Sequence, residues 1–240
     1  MRLKISKTAE NLLNLIYPQN IYCICCGDSM SSDHLHGICD DCIGRIVWNT
    51  DNPFRHLMED FAFDDLWPCC RYSFSVRRIV QGLKLSGKTY IAENMGMLMG
   101  ERLKQGLEEI SSNNGQEIII TEVPMYKEKE KKRGFNQSKL LAEYVSKESG
   151  IRHSSGLLIK TEATASMRLS SADERRQMQQ DAFKVNPECS EFVKGKNIIL
   201  VDDVVTTGST ADACSRTLKN AGAGKVIVLC YACGKGPIYE

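Results

Sequence analysis

The chain reads as an α/β protein, a mostly parallel sheet flanked by helices, preceded by a small four-cysteine module. Three observations predict this. Apolar runs with strand character alternate with segments of helical periodicity. The stretch "NIILVDDVVTTGST" (197–210) passes from a buried strand through a small-residue loop into a helix. Two Cys-x2-Cys pairs crowd the first fifth of the chain.

Taken in order, the elements are these. Thr8, Leu12 and Ile16 share one face of a short amphipathic helix. Residues 23–42, "CICCGDSMSSDHLHGICDDC", carry the cysteine pairs. A boundary near residues 48–60 separates this module, assigned to 1–55, from a sheet domain at 56–240. "RYSFSV" (71–76) alternates like a strand, and a short helix follows through Val76, Ile79, Val80 and Leu83. Ile91, Met95, Leu98, Met99, Leu103 and Leu107 make a helical stripe over 89–109. "EIIITEVP" (117–124) is a buried strand stopped by Pro124, and 136–149 is a helix through Leu140, Leu141, Tyr144 and Val145. Residues 157–185 are long and polar, with helical character from Ala172 to Met178. A strand at 197–201, a helix from Ser209 to Ala221 and the strand "KVIVLCYA" (225–232) complete the pattern.

A net charge of +1 excludes a polyelectrolyte partner for the protein as a whole, so any nucleic-acid contact has to come from a local patch. No run approaches the ~20 apolar residues of a membrane span, so no membrane insertion is expected. The first residues lack the apolar core of an export signal, which places the protein in the cytoplasm. In that reducing compartment the 11 cysteines point to metal binding or burial rather than disulfides.

Cys23 and Cys26 form one pair, Cys39 and Cys42 the other. Each can curl so that backbone amides face its sulfurs, and four thiolates close a tetrahedral zinc site with no position left for substrate. The module is therefore structural. Cys25, His34 and His36 are rival ligands within the same stretch. Cys230 and Cys233 repeat the spacing on a strand, where residues three apart face opposite sides, and read as core or strand-end cysteines.

Two segments compete for phosphate. "GLKLSGKT" (82–89) matches the P-loop pattern of an NTPase, but that motif needs a buried strand running into its first glycine. Here "SVRRIVQ" precedes it, with helical spacing and two arginines. The loop at 206–210 has the better context. The amides and hydroxyls of Thr206, Thr207, Ser209 and Thr210 can converge on a phosphate at a helix N-terminus, and Gly208 lets the backbone come close. Asp202 and Asp203 beside an anion site make sense if the ligand also carries neighbouring hydroxyls, as a ribose 5-phosphate does.

"IILVDDVVTTGST" resembles the phosphoribosyl-pyrophosphate (PRPP) signature of type I phosphoribosyltransferases. With "CICCG…CDDC" and "KKRGFNQSKLLAEYV" (131–145), the whole chain resembles the ComF family of competence-associated, amidophosphoribosyltransferase-like proteins. The resemblance implies a type I phosphoribosyltransferase fold that binds PRPP with magnesium. It places Lys84 and Lys88 at the family's lysine positions and turns Tyr126, Lys127 and Arg133 toward the pyrophosphate. Asp202 and Asp203 would position the ribose, and Lys127 and Arg133 would stabilise the leaving group. Residues 160–183 match the family's mobile catalytic loop at Thr164, Arg175, Ala182 and Phe183, but Met167 and Met178 stand where Gln and Asn are expected. The implied function is a phosphoribosyltransferase linked to DNA uptake. The rival is a protein that binds PRPP or single-stranded DNA without turnover, with DNA-uptake proteins as partners.

Overall fold

The structure is a computed structural model that describes residues 21–30, 34–48, 51–86, 90–111, 116–161 and 182–234. The N-terminal helix, Lys88 and the helical stretch at 172–178 lie outside these residues. Four parallel strands form the central sheet: β1 (Asp65–Arg71), β2 (Ile118–Glu122), β5 (Asn197–Val205) and β6 (Val226–Cys233), in the order β1-β6-β5-β2. A separate antiparallel hairpin pairs β3 (Leu158–Lys160) with β4 (Phe183–Val185). Among the described residues, the α-helices of six or more residues are α1 (Asp40–Arg45), α2 (Phe74–Ser86), α3 (Tyr90–Ser111), α4 (Lys127–Arg133), α5 (Gln137–Ser149) and α6 (Ser209–Asn220).

The pleat divides the core in two. Ile120, Ile199, Val201, Ile227 and Leu229 join α2, α3 and α5 on one face. Ile119, Ile198, Leu200, Val226 and Val228 join α6 and the hairpin on the other. Because both faces are covered, the strands read as continuous apolar runs rather than alternating ones. The cysteine module has no separate core among the described residues: Ile24, Ile38, Cys42 and Ile46 belong to the first cluster. Trp48 bridges Cys70, and the Arg71 amide donates to the Val47 carbonyl, so the module covers the outer edge of β1.

The first strand differs from the expectation. It lies at 65–71, not 71–76, and Phe74 to Val76 already open α2. Leu66 to Cys70 are all buried, which removes the two-residue period, and Pro68 is tolerated because β1 is an edge strand. The Ser73 hydroxyl accepts from the Val76 amide at 3.4 Å, a cap that converts the alternating "YSFSV" into a helix start. The basic run 127–133 is helix α4 and ends at Gly134 with φ 89°. Cys230 and Cys233 are buried as expected but meet in one apolar cluster.

α3 packs on α5 through a glycine stripe. A Cβ at Gly96 would lie 2.4 Å from the Tyr144 Cβ, and one at Gly100 would lie 2.5 Å from the Glu148 Cβ. Gly96→Ala gains up to ~1 kcal/mol of helix propensity, but overpacking against a Cβ that cannot swing away costs roughly 1–3 kcal/mol. The expected net result is destabilisation, read as a lower urea midpoint. A raised midpoint would show that α5 can step back.

Candidate functional site

The four cysteines of the module converge. The sulfurs of Cys23, Cys26, Cys39 and Cys42 all lie within 4.8 Å of one another, and the Cys26 and Cys39 sulfurs are 3.8 Å apart. Four thiolates about 2.3 Å from a central ion stand roughly 3.8 Å apart, so the cluster fits a tetrahedral metal. Backbone amides of Cys25 and Cys39 reach the Cys23 sulfur at 3.4 Å, and that of Asp28 reaches the Cys26 sulfur at 3.5 Å. Burial alone would raise the Cys23 thiol, but the amides of Cys39, Cys26 and Cys25 outweigh it and bring it to about 7. Of the rival ligands, Cys25 is not part of the group of four and donates to the Ser75 carbonyl at 3.6 Å. His34 pairs with Asp40 and His36 with Glu101.

The second site lies at the carboxyl ends of the neighbouring strands β5 and β2, where open α/β sheets place their ligands. Two cavities meet there. The smaller, of about 50 Å³, is formed by Val204 to Ala211 with Asp202 at its side. Its loop ends at Gly208, which has φ 81° and precedes α6. The Phe61 ring would lie 3.0 Å from a Cβ at that glycine, so both backbone and space exclude a side chain. Thr206, Thr207, Ser209 and Thr210 are exposed at its mouth, and the Thr207 and Ser209 hydroxyls are 3.0 Å apart. The larger cavity, of about 270 Å³, is lined by the loop Val123–Tyr126, Lys129, Asn136 to Ser138, Lys160, Asp202, Asp203 and Thr210.

The two aspartates, adjacent in sequence, have different tasks. Asp203 is buried and its Oδ2 lies 2.5 Å from the Lys84 ammonium, while its Oδ1 accepts from the Val204 amide at 2.9 Å. Lys84 is thereby committed to a carboxylate. Asp202 lines both cavities. Its Oδ1 accepts from the Ser138 hydroxyl and from the Asp203 amide, each at 2.9 Å, and neither bond uses its second oxygen. Burial, and then the Asp203 charge, push the Asp202 carboxyl up to about 7, against the Ser138 hydroxyl, the Asp203 amide and Lys84.

Tyr126 sits ahead of α4 and lines the larger cavity. Lys127 and Arg133, expected beside it, are not among the residues that line it. Lys127 is exposed on the first turn of α4, and Arg133 donates to Gln137. Lys129, two residues beyond Lys127, lines the cavity in their place while staying exposed. Sequence reasoning missed Ser138, Lys129 and Lys160. Asn136, whose side chain accepts from the Ser138 amide at 3.0 Å and donates to the Val123 carbonyl at 3.2 Å, is a helix-capping type ahead of an apolar run. The expected helix at 136–149 does start here, so that signal could have pointed to Ser138; Lys160 opens the segment read as the family's catalytic loop but was not itself singled out. The P-loop reading fails on geometry: Gly82 to Ser86 are the last turn of α2, with no strand before them.

Comparison with known proteins agrees with this geometry. The phosphoribosyl transferase domain family matches residues 157–237, which hold the loop after β5. The chain is 31% identical over 159 residues to the DNA utilization protein YhgH of Escherichia coli O6:H1, covering 66% of this chain and 67% of that protein. The chain belongs to the ComF family. This ComF protein is also 25% identical over 215 residues to Competence protein F of Haemophilus influenzae, covering 90% of this chain and 91% of the relative. Over 105 residues, or 44% of this chain and 40% of the relative, it is 31% identical to Competence protein ComFC of Bacillus subtilis. Among solved structures, it resembles the allosteric regulatory enzyme of purine biosynthesis remotely, with TM-score 0.37 and 23% identity, over 58% of this chain and 25% of that one. The ComF chain thus combines a phosphoribosyltransferase-like α/β domain with a four-cysteine module able to hold a metal. Among the described residues no helix is long and apolar enough to cross a membrane.

Proposed function

We propose that this ComF protein binds magnesium-complexed PRPP and handles its ribose 5-phosphate as a phosphoribosyltransferase does. One observation carries the reading: two cavities suited to anions share Asp202 and Thr210 at their junction. The hydroxyl-lined loop at the start of α6 suits the 5-phosphate. The larger cavity, with Lys129 and Lys160, suits the diphosphate, and Asp202 between them suits the ribose diol. Asp202 also offers the carboxylate that a magnesium ion needs, and the ion would shield phosphate charge there. Asp203 supports the site by holding Lys84. In transfer, the bond from the sugar C1 to the diphosphate breaks and an acceptor nucleophile bonds to C1, while the cavity cations meet the departing charge. The cysteine module, with zinc as its metal, serves as a structural support.

Calorimetry with magnesium present is expected to show one PRPP per chain and no heat with ATP. Absence of PRPP binding overturns the proposal. Pyrophosphate release with candidate acceptors then separates a transferase from a binder.

A second reading has its own support. α4 exposes Lys127, Lys129, Lys131 and Lys132 together, and relatives are named for DNA utilization and competence. Single-stranded DNA is the partner such a patch fits, alongside proteins of DNA uptake. Binding that weakens with salt, and weakens further when Lys131, Lys132 and Arg133 are replaced, supports it; salt-independent binding refutes it.

A further inference from the structure

Among the described lysines, Lys160 is set apart by lying over two aromatic rings. It is the last residue of β3, paired in register with Phe183, and the Thr161 amide closes the hairpin on the Ala182 carbonyl at 2.9 Å. Its ammonium lies 4.6 Å from the centroid of the Tyr126 ring and 5.0 Å from that of Phe183. The cation is therefore clasped between the hairpin and the loop after β2, with both aromatic faces turned to it. Lys84, Lys104, Lys194, Lys196 and Lys219 each have a carboxylate partner; no described carboxylate lies within ion-pair distance of Lys160, which shares this with the lysines of α4 but, unlike them, is not exposed.

A half-buried cation without a counter-ion is unfavourable unless something supplies the anion. Burial pulls the Lys160 ammonium below its ordinary value, and the charge of Lys129 acts the same way; Cys214 and Asp202 oppose it only through space. Lys160 lines the larger cavity with Lys129, Gln137 and Ser138. Gln137 and Ser138 are the first two residues of the 13-residue helix α5, whose positive end reinforces the same field. Lys129 is exposed, so its charge is screened by solvent; Lys160 is held in place and shielded.

We infer that Lys160 is the residue that makes this cavity select a sugar phosphate bearing a diphosphate over the same sugar carrying only its 5-phosphate. The inference rests on the PRPP reading above, and adds to it a determinant on the hairpin. The 5-phosphate and the ribose diol are met by the loop after β5 and by Asp202, so their binding does not depend on Lys160.

The test is calorimetry in magnesium with PRPP, ribose 5-phosphate and inorganic pyrophosphate as separate probes. Lys160→Met is expected to weaken PRPP on the order of 30-fold, as loss of one charge-assisted contact does. Pyrophosphate binding is expected to vanish, while ribose 5-phosphate stays within about twofold. Lys160→Arg keeps the charge and is expected to retain PRPP and pyrophosphate. Thermal melting confirms that each variant is folded, and Lys160→Gln is read in the same way if the methionine variant is not. If Lys160→Met weakens ribose 5-phosphate as much as PRPP, or leaves PRPP unchanged, the inference is overturned while the PRPP reading stands. If wild-type protein binds none of the three probes, both fall.

Discussion

Replacing Cys39 with serine is expected to unfold far more than the module that contains it. The sulfurs of Cys23, Cys26, Cys39 and Cys42 form the tight group that can take a metal, and the Cys39 amide also braces the Cys23 sulfur. A structural zinc contributes an apparent ~10–16 kcal/mol in small metal-folded peptides, which matches or exceeds the ~5–15 kcal/mol that holds a typical domain together. The module does not keep this energy to itself. Its Ile24, Ile38, Cys42 and Ile46 pack in the same cluster as Val76, Ile79 and Leu83 of α2 and Met95 and Met99 of α3. Loosening it also uncovers the edge of β1 at Trp48 and Val47. Metal analysis is expected to fall from about one zinc per chain to none, with loss of the cooperative thermal transition. A chelator should reproduce the effect on wild-type protein. Metal-free protein that melts as the holoprotein does would refute the structural role.

Asp202→Asn is expected to abolish PRPP binding while making the protein more stable at pH 8. The side chain lines both cavities and is poised to face the sugar and its magnesium. Its folded pKa, about 7, stands above the ordinary carboxylate value of 3.8, chiefly through burial and then through the neighbouring Asp203. A carboxyl raised on folding holds its proton more tightly in the native state. It therefore lowers stability as pH rises from about 4 to about 7, the reverse of a salt-bridged acid. At ~1.4 kcal/mol per pH unit the cost at pH 8 is at most about 4 kcal/mol. Asparagine removes that cost and keeps an acceptor for the Ser138 hydroxyl. Ligand binding has the opposite slope. Magnesium and the diol favour the ionised carboxylate, so wild-type affinity for PRPP is expected to rise between pH 6 and 8, and any residual affinity of the variant to stay flat. Unfolding by urea at pH 5 and pH 8, paired with calorimetry at both, checks the two slopes together. A variant that binds PRPP normally would remove Asp202 from the site. By contrast, Asp203→Asn leaves Lys84 half-buried without its partner and is expected to act through stability first.

The linear sequence determined the chemistry that is local. The cysteine spacings, the strand, acid pair and small-residue loop at 197–210, and the stripe from Ile91 to Leu107 each declare themselves within one turn or one strand, and the structure returns them in the expected order. Where a local signal was missing or false, the cause was burial or capping that neighbours impose. β1 lost its alternation because both faces are covered, and Ser73 turned "YSFSV" into a helix start. Only the tertiary structure decided how the acid pair divides its work, since Lys84 reaches Asp203 from α2 and Ser138 reaches Asp202 from α5. It likewise decided which cations face the cavity: α4 sets the exposed Lys129 at its wall and leaves Lys127 off it, and the hairpin brings Lys160 across from 34 residues further along the chain than Tyr126. The physical reason is that motifs read backbone conformation, which neighbours in sequence control, whereas charge pairing depends on distances that only packing sets.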